Sequence, residues 1–270
     1  MSIYPPATWR LLHSAPIDGA ANMALDEAIL HAVATGLVPP TLRFYAWEPA
    51  CLSLGRAQPM ADVDLPALRS AGFDLVRRPT GGKSILHVDE LTYSVVAPQT
   101  EPRVAGTIVE SYRRLSKGLV RGFEMLNVTG IAADRRAESP HSQGAVCFES
   151  PSDYEITIGG RKLVGSAQMR ARSVMLQHGA LPLRGDVARI CPLLRTCPDA
   201  ERVRARAATI AEALGHPVAW QEAADAMAAG FAEALNLHLK PGKLTDQERA
   251  QAVDLRAKKY ATLKWTERIP

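Results

Sequence analysis

The chain has 270 residues, of which 47% are hydrophobic and 22% charged, so it is long and apolar enough for a globular fold with a sizeable core. The formal net charge of +4 lacks the clustered excess of a nucleic-acid binder, and no apolar run approaches the roughly 18 residues of a membrane span. The N-terminus shows no secretion signal, and the four cysteines form no C-x-x-C pair. These features predict a cytoplasmic protein with reduced thiols and no metal site.

The first third of the chain is predicted to hold one long helix followed by short strands. Apolar residues recur on one face of residues 19–34, and Asp18 can cap the start of that helix. A short helix is predicted at 64–70. Strands are predicted at 42–46, 51–54, 73–76, 84–87 and 91–96. The turn at Gly81-Gly82 therefore joins two strands.

The remainder alternates between strands and helices. A helix at 105–126 is followed by a polar loop at 132–146, and a strand at 154–158 turns at Gly159-Gly160 into a hairpin partner at 163–167. Another strand is predicted at 174–179, and helices are predicted near 200–214, 221–236 and 245–259. This order predicts an α/β (α+β) fold with a mixed sheet flanked by helices. We expect a catalytic domain over residues 1–198 and a helical C-terminal extension over 199–270.

The segment Arg77-Arg78-Pro79-Thr80-Gly81-Gly82-Lys83 is the first candidate site. Two consecutive glycines allow positive φ angles and a close approach of the backbone to a ligand. Exposed amides in such a turn can bind an anion or a carbonyl, and the neighbouring basic residues add positive charge. From this segment alone, an ordinary turn with solvated basic side chains is an equally good interpretation.

Cys147 is the candidate nucleophile, because it lies where the polar loop meets a strand. A free thiol has a pKa of roughly 8.5, so only a few per cent is thiolate near pH 7 unless a cation or a base assists. Most single cysteines are buried structural residues. The residue pattern alone therefore favours a structural role for Cys147.

A glycine turn and a histidine supply two further candidates. Lys162 lies between Gly159-Gly160 and a run of small residues, so its side chain is held rigidly. The small residues 165–167 leave room for something narrow, such as an alkyl chain. His178 can act as a base or orient a neighbour. The alternatives, a solvated lysine and a satisfied core histidine, are the more common roles of such residues.

Taken together, these segments resemble the lipoate-attachment and biotin-ligase-like family. The pattern R-R-x-[ST]-G-G-x-x-x-x-H occurs at residues 77–87, and G-R-K-x-x-G-S-A occurs at residues 160–167. The resemblance covers roughly residues 8–185 and implies a class II synthetase/biotin-ligase-like catalytic domain. Within the family the chain most resembles the LipM-type octanoyltransferases, because residues 147–155 match C-F-x-x-P-S-x-Y-E and residues 176–179 match L-Q-H-G.

The resemblance implies a site and a reaction. Cys147 would carry the acyl group and Lys162 would lower its pKa and stabilise the oxyanion. The substrate-binding residues would be Arg77, Arg78, Gly81, Gly82, His87, Gly165, Ser166, Ala167 and His178. An octanoyl group would pass from acyl carrier protein to a lysine of a lipoyl domain or of the glycine-cleavage H protein, without a cofactor. A monomer is expected, and the basic Arg77, Arg78 and Arg161 agree with acidic carriers.

Two other functions stay open. An ATP-dependent lipoate–protein ligase would use the same glycine turn and Lys162, would need ATP and Mg²⁺ to form an adenylate, and would leave Cys147 incidental. A non-catalytic binding or scaffold relative would transfer no acyl group at all. The cysteine motif favours the transferase, whereas the glycine turn and Lys162 fit both enzymes.

Overall fold

The computed structural model describes residues 4–134, 155–196 and 199–270. The strands in these ranges are Ala7–His13 (β1), Thr41–Tyr45 (β2), Cys51–Leu54 (β3), Asp74–Arg77 (β4), Ile85–His87 (β5), Glu90–Pro98 (β6), Ile131–Asp134 (β7), Glu155–Ile158 (β8), Arg161–Lys162 (β9), Gly165–Ala171 (β10), Val174–Pro182 (β11) and Leu237–Pro241 (β12). The α-helices are Gly19–Ala34 (α1), Leu65–Ser70 (α2), Ile108–Met125 (α3), Ala200–Arg204 (α4), Ile210–Leu214 (α5), Trp220–Leu235 (α6), Asp246–Leu255 (α7) and Leu263–Thr266 (α8). Most elements agree with the predicted ones within two or three residues.

The main sheet has six strands in the order β10-β11-β6-β2-β1-β12. β1 pairs in parallel with β2 and β12, whereas β2, β6, β11 and β10 are joined by antiparallel pairings. The prediction of a mixed sheet flanked by helices is thereby confirmed. β1 was not predicted, although its first five residues, Ala-Thr-Trp-Arg-Leu, alternate between apolar and polar side chains as a strand does.

Helices cover both faces of this sheet. α1 packs against β6 and β11 on one face, and Asp18 caps it as predicted by accepting a hydrogen bond from the Ala21 N–H at 2.9 Å. On the other face α3 and α6 cross so closely that a methyl group at Gly230 would lie 2.3 Å from the Gly122 nitrogen. β6 and β11 are therefore buried along nearly their whole length, and both carry polar residues into the interior.

The region from residue 199 onward is more varied than the predicted helical extension. Helices are confirmed at α6 and α7, but the single helix predicted near 200–214 is wrong. Residues between α4 and α5 instead pair with the backbone of Lys162, whose N–H donates to Arg206 O at 2.7 Å and whose carbonyl accepts from Ala208 at 3.0 Å. β12 was also missed, and it extends the main sheet beside β1. The boundary at residue 198 stays a prediction.

Two small sheets complete the fold, in the orders β4-β3-β5 and β7-β8-β9. Strands flank Gly81-Gly82 as predicted, but β4 and β5 both pair with β3 and not with each other. The hairpin partner predicted at 163–167 is wrong: β9 returns along β8, and β10 pairs with β11. Of the loop predicted at 132–146, residues 132–134 belong to β7, and the rest lies outside the described residues. No helix in the described ranges is long and apolar enough to cross a bilayer.

Candidate active site

A small pocket lies where β6, β10 and β11 meet the glycine turn at Arg78. Its lining comes from seven segments of the chain, namely Met23, Tyr45, Trp47, Arg78, Ile85, His87, Thr92, Gly165, Ala167, His178, Gly179 and Ala180. Five of the predicted binding residues are among them: Arg78, His87, Gly165, Ala167 and His178. The structure thus brings three of the four predicted segments together around one mainly apolar pocket.

The glycine turn is folded around the side chain of Arg78. Its guanidinium donates to Gly81 O at 2.8 Å and to Lys83 O at 2.7 Å. Gly82 has φ +92°, and Gly55 lies so close behind it that a methyl group at Gly55 would be 1.9 Å from Gly82 O. The conformation of the turn therefore depends on glycine at positions 55 and 82 and on the buried Arg78 guanidinium, which binds the Gly81 and Lys83 carbonyls.

The expectation that Arg77 and Arg78 present charge to acidic carriers is wrong. Both side chains are buried, and their guanidinium groups donate hydrogen bonds to backbone carbonyls inside the protein. Arg77 donates to Thr266 O at 2.8 Å and to Gly55 O at 2.9 Å, and burial lowers its pKa, with a further contribution from the charge of Arg268. Of the three arginines predicted to face carriers, Arg161 is the one at the surface, where it pairs with Glu212 at 2.7 Å.

His178 is held at both of its ring nitrogens. Nδ1 lies 3.4 Å from Asp26 Oδ2, and Nε2 lies 2.6 Å from Thr80 Oγ1. A carboxylate only accepts, so Nδ1 donates to Asp26, while burial lowers the pKa of His178 and keeps Nε2 free to accept from Thr80. This geometry favours the role of a fixed wall residue over that of a general base.

Asp26 is the residue on which this side of the pocket is built. It is fully buried on α1 and accepts hydrogen bonds from Arg43 at 2.8 Å, Tyr45 at 3.0 Å and Ser94 at 2.9 Å, besides His178. Burial alone would raise the pKa of Asp26, but the hydrogen bond from His178 and the charge of Arg43 hold it below its usual value. Asp26 was not among the predicted site residues.

His87 lines the opposite wall. Its ring stacks on Trp47 with centroids 3.9 Å apart, its Nδ1 donates to Glu90 Oε1 at 2.7 Å, and its Nε2 meets Ser53 Oγ at 2.7 Å. Trp47 and Glu90 were not among the predicted site residues. A carboxylate thus orients each of the two pocket histidines, and each ring also meets a hydroxyl group.

The small residues on β10 divide between the two faces of the sheet. Gly165 and Ala167 line the pocket, whereas the Ser166 hydroxyl points to the opposite face and lies 2.8 Å from the Tyr93 hydroxyl. This follows from the alternation of side chains along a strand. Gly179 is pressed between the same two side chains, since a methyl group there would lie 2.5 Å from both Ser166 Oγ and Tyr93 Cε1.

Lys162 is a buried cation on β9, not a solvated lysine. Its Nζ lies 3.0 Å from Glu155 Oε1, and both side chains are almost fully buried. Glu155 pairs in register with Asp134, so the two described residues that flank segment 135–154 lie in the same small sheet as Lys162. Cys147 belongs to that segment and lies outside the described residues.

The cysteines that the structure describes do not line the pocket. Cys51 is fully buried, and burial raises its pKa well above the ordinary value, with smaller contributions from nearby carboxylates. Cys191 is half-buried and packs against the hydrophobic cluster around Leu52 and Leu194. Over the described ranges, no three His, Cys, Asp or Glu side chains are grouped so as to hold a metal ion.

The sequence matches a known family. The lipoyl protein ligase A/B catalytic domain matches residues 18–232. The chain is 47% identical to the octanoyltransferase LipM of Symbiobacterium thermophilum, over 96% of this chain and 98% of that protein. It is 44% identical to the octanoyltransferase LipM of Kyrpidia tusciae, over 97% and 99%.

A solved structure has the same fold. The lipoate protein ligase of Thermoplasma acidophilum, described as bi-partite, superposes with a TM-score of 0.78 at 24% identity, covering 98% of each chain. This chain therefore belongs to the lipoyl protein ligase A/B catalytic-domain family. The predicted resemblance to octanoyltransferases of the LipM type within that family is confirmed.

Proposed function

We propose that the chain is an octanoyltransferase that moves an octanoyl group from acyl carrier protein to a lysine of a lipoyl domain or of the glycine-cleavage H protein. The observation that carries this proposal is the similarity, over nearly the whole of both chains, to proteins named octanoyltransferase. The mainly apolar pocket where the family motifs meet suits a straight alkyl chain better than a charged ligand group. The protein would act as a cytoplasmic monomer without a metal or nucleotide cofactor.

The first half-reaction forms an acyl-enzyme. The Cys147 thiolate attacks the carbonyl carbon of the octanoyl thioester, the new C–S bond forms as the C–S bond to the carrier's prosthetic group breaks, and the released thiolate takes up the proton that Cys147 had lost. One thioester replaces another, so the step is nearly isoenergetic and needs no ATP. Covalent catalysis also allows two bulky carriers to use one site in turn.

The second half-reaction makes the amide. The neutral ε-amine of the acceptor lysine attacks the octanoyl-Cys147 carbonyl, a C–N bond forms, and Cys147 leaves as a thiol after taking up the proton that the amine loses. Amide formation from a thioester is downhill. The same pocket holds the alkyl chain during both steps, so that only the carrier protein has to change.

Lys162 is the cation proposed to stabilise both steps. A buried ammonium acts in a low-dielectric site, where it stabilises a developing oxyanion and a neighbouring thiolate more strongly than it would in water. Its hydrogen bond to Glu155 at 3.0 Å fixes the position of the charge before substrate arrives. This preorganisation is what catalysis of acyl transfer requires.

The competing proposal is an ATP-dependent lipoate–protein ligase. The fold is shared with a lipoate protein ligase, and Lys162 would then stabilise the adenylate instead of a thioester. The two proposals differ in the need for ATP and in the need for Cys147. An experiment on the acyl-enzyme separates them.

Intact-mass spectrometry of the enzyme after incubation with octanoyl-acyl carrier protein, without ATP, provides this test. We expect one octanoyl adduct, located on Cys147 by peptide mapping and removed by neutral hydroxylamine. The adduct should be absent from Cys147→Ala. Cys191→Ala is the matched control, because Cys191 is half-buried and does not line the pocket; it should acylate normally. Lipoylation that requires ATP and proceeds in Cys147→Ala would establish the ligase instead.

A further inference from the structure

The C-terminal segment 260–269, here called the latch, is fastened to the strand that leads into the glycine turn. Trp265 Nε1 donates to the Arg77 carbonyl at 2.8 Å, and Arg77 Nε donates to Thr266 O at 2.8 Å. Both the backbone and the side chain of Arg77 are thus bound by consecutive residues of the latch. Arg77 is the last residue of β4, so the latch fixes where that strand ends.

Arg77 passes this constraint to the floor of the glycine turn. Its Nη1 donates to Gly55 O at 2.9 Å and to Gln58 O at 2.5 Å. Gly55 supports Gly82, because the two residues approach so closely that no side chain fits between them. One guanidinium therefore connects the latch with the loop on which Gly82 rests.

Arg78 carries the same constraint into the pocket. It follows Arg77 directly, its guanidinium holds the Gly81 and Lys83 carbonyls, and its side chain lines the pocket. A shift of β4 along its axis would therefore move Arg78 and the turn together. Trp265 itself is not among the lining residues.

The latch is held in place from a second direction. The Trp265 ring packs edge-on against Tyr260 with centroids 5.9 Å apart, and the cations of Lys259 and Arg268 lie 4.3 Å and 4.7 Å from its centroid. Lys259 Nζ is 2.7 Å from Glu27 on α1, and the Tyr260 hydroxyl also donates to Glu27. The latch thus bridges α1 and β4, which both contribute pocket residues or their direct neighbours.

We propose that the latch is a positioning element of the acyl site, and that Trp265, acting through Arg77, holds the glycine turn in its acyl-binding conformation. Affinity for the acyl donor then depends on a side chain that does not line the pocket. The kinetic consequence rests on the proposed octanoyl transfer. The structural consequence, a turn that loosens when the latch is removed, does not.

Hydrogen–deuterium exchange by mass spectrometry tests the structural consequence. In Trp265→Ala we expect faster exchange in peptides covering residues 52–58 and 75–84, since the hydrogen bonds from Arg56 N to Thr80 O and from Arg78 N to Leu54 O lose their support. Trp265→Phe keeps a ring but loses the N–H donor, so it should show a smaller increase in exchange. This variant provides the test where Trp265→Ala folds poorly. Leu263→Ala is the matched control, because Leu263 lies on the same short helix with 71% of its surface exposed.

Steady-state transfer assays test the kinetic consequence. We expect Trp265→Ala to raise KM for octanoyl-acyl carrier protein about tenfold and Trp265→Phe about threefold, as for a lost hydrogen bond and its packing, with kcat much less affected. Leu263→Ala should match wild type. Unchanged exchange in both peptide regions of Trp265→Ala would overturn the proposal, whether or not transfer is observed. Faster exchange with no octanoyl transfer in wild type would count against the proposed function while leaving the latch intact.

Discussion

The pocket beside the glycine turn and the small sheet that holds Lys162 are built in different ways. On the turn side, Arg77, Arg78, His87 and His178 have their polar groups tied to backbone carbonyls, carboxylates or hydroxyls. In the small three-stranded sheet β7-β8-β9, Lys162 is a buried cation paired with Glu155, and Glu155 in turn pairs with Asp134 on β7. The side chains around the turn therefore form a binding pocket whose polar groups are held in fixed positions. The Lys162 sheet holds the cation that the proposed acyl transfer would use.

Basic residues next to a glycine turn therefore need not bind a charged substrate; here they have a structural role. Arg77 and Arg78 organise carbonyls, and the histidines are fixed at both nitrogens. The proposed chemistry therefore falls on Lys162 and Cys147, and substitutions on the two sides should have separable effects. Changes on the Lys162 side should lower the rate of transfer, whereas changes on the turn side should lower stability.

The largest effect is expected for Lys162→Gln. Removing the cation should slow acyl-enzyme formation about 10²- to 10³-fold, as when one oxyanion-stabilising donor is lost. Single-turnover mass spectrometry with octanoyl-acyl carrier protein measures this rate. Arg161→Gln removes the neighbouring exposed cation, which pairs with Glu212 at the surface, and should change the rate by less than about threefold. Equal losses in the two variants would show that Lys162 has no special role.

A smaller effect, on stability, is expected for Gly55→Ala. The added methyl group would lie 1.9 Å from Gly82 O, so the turn or its floor must move, at a cost of about 1–3 kcal/mol. Gly81→Ala is the matched comparison, because a methyl group there meets nothing within 4 Å, and its free energy of unfolding should stay within about 0.5 kcal/mol of wild type. Urea unfolding measures both. Equal stability of the two variants would contradict the close packing behind the turn.

The smallest effect is a pH dependence from His178. Burial lowers the pKa of the folded ring, so below about pH 6.5 the unfolded chain takes up a proton that the folded chain does not. Stability should therefore fall as pH drops through this range, by at most about 1.4 kcal/mol per pH unit for this one group. His178→Gln should flatten the slope between pH 7 and 5, whereas His238→Gln, at an exposed position on β12, should not. The same slope in wild type and His178→Gln would show that His178 does not titrate as described.

Local patterns predicted much of the fold. The bounds of α1 and β3 were predicted to the residue, because the helix is rich in apolar residues and starts at an aspartate cap, and the strand is a short apolar run. β1 and β12 were missed although residues 7–11 and 237–240 alternate between apolar and polar side chains; their pairing with each other spans more than 200 residues and cannot be seen from either segment alone. The break between α4 and α5 depends on a long-range contact with the Lys162 backbone, which sequence periodicity cannot show.

In the candidate site, too, local motifs were predicted and long-range contacts were missed. Motifs identified the glycine turn, Lys162 and His178, and the structure places the turn and His178 at one pocket. Asp26 was left without a role because its partners, Arg43, Ser94 and His178, are 17 to 152 residues away. The sequence held a weak indication of a buried polar site, because Asn22 and Asp26 are polar residues spaced by four within an apolar helix. Both side chains are fully buried in the structure. Trp47 had no such signal.

The central claim, transfer through an enzyme thioester, is tested most directly by a chase of the isolated acyl-enzyme. The enzyme is acylated with octanoyl-acyl carrier protein, freed of the carrier, and mixed with a lipoyl domain in buffer without ATP or Mg²⁺. We expect the octanoyl group to move from Cys147 to the acceptor lysine in a single turnover, with one mass increment lost and one gained. An acyl-enzyme that only hydrolyses, with the acceptor modified only when ATP and free acid are added, would contradict the account.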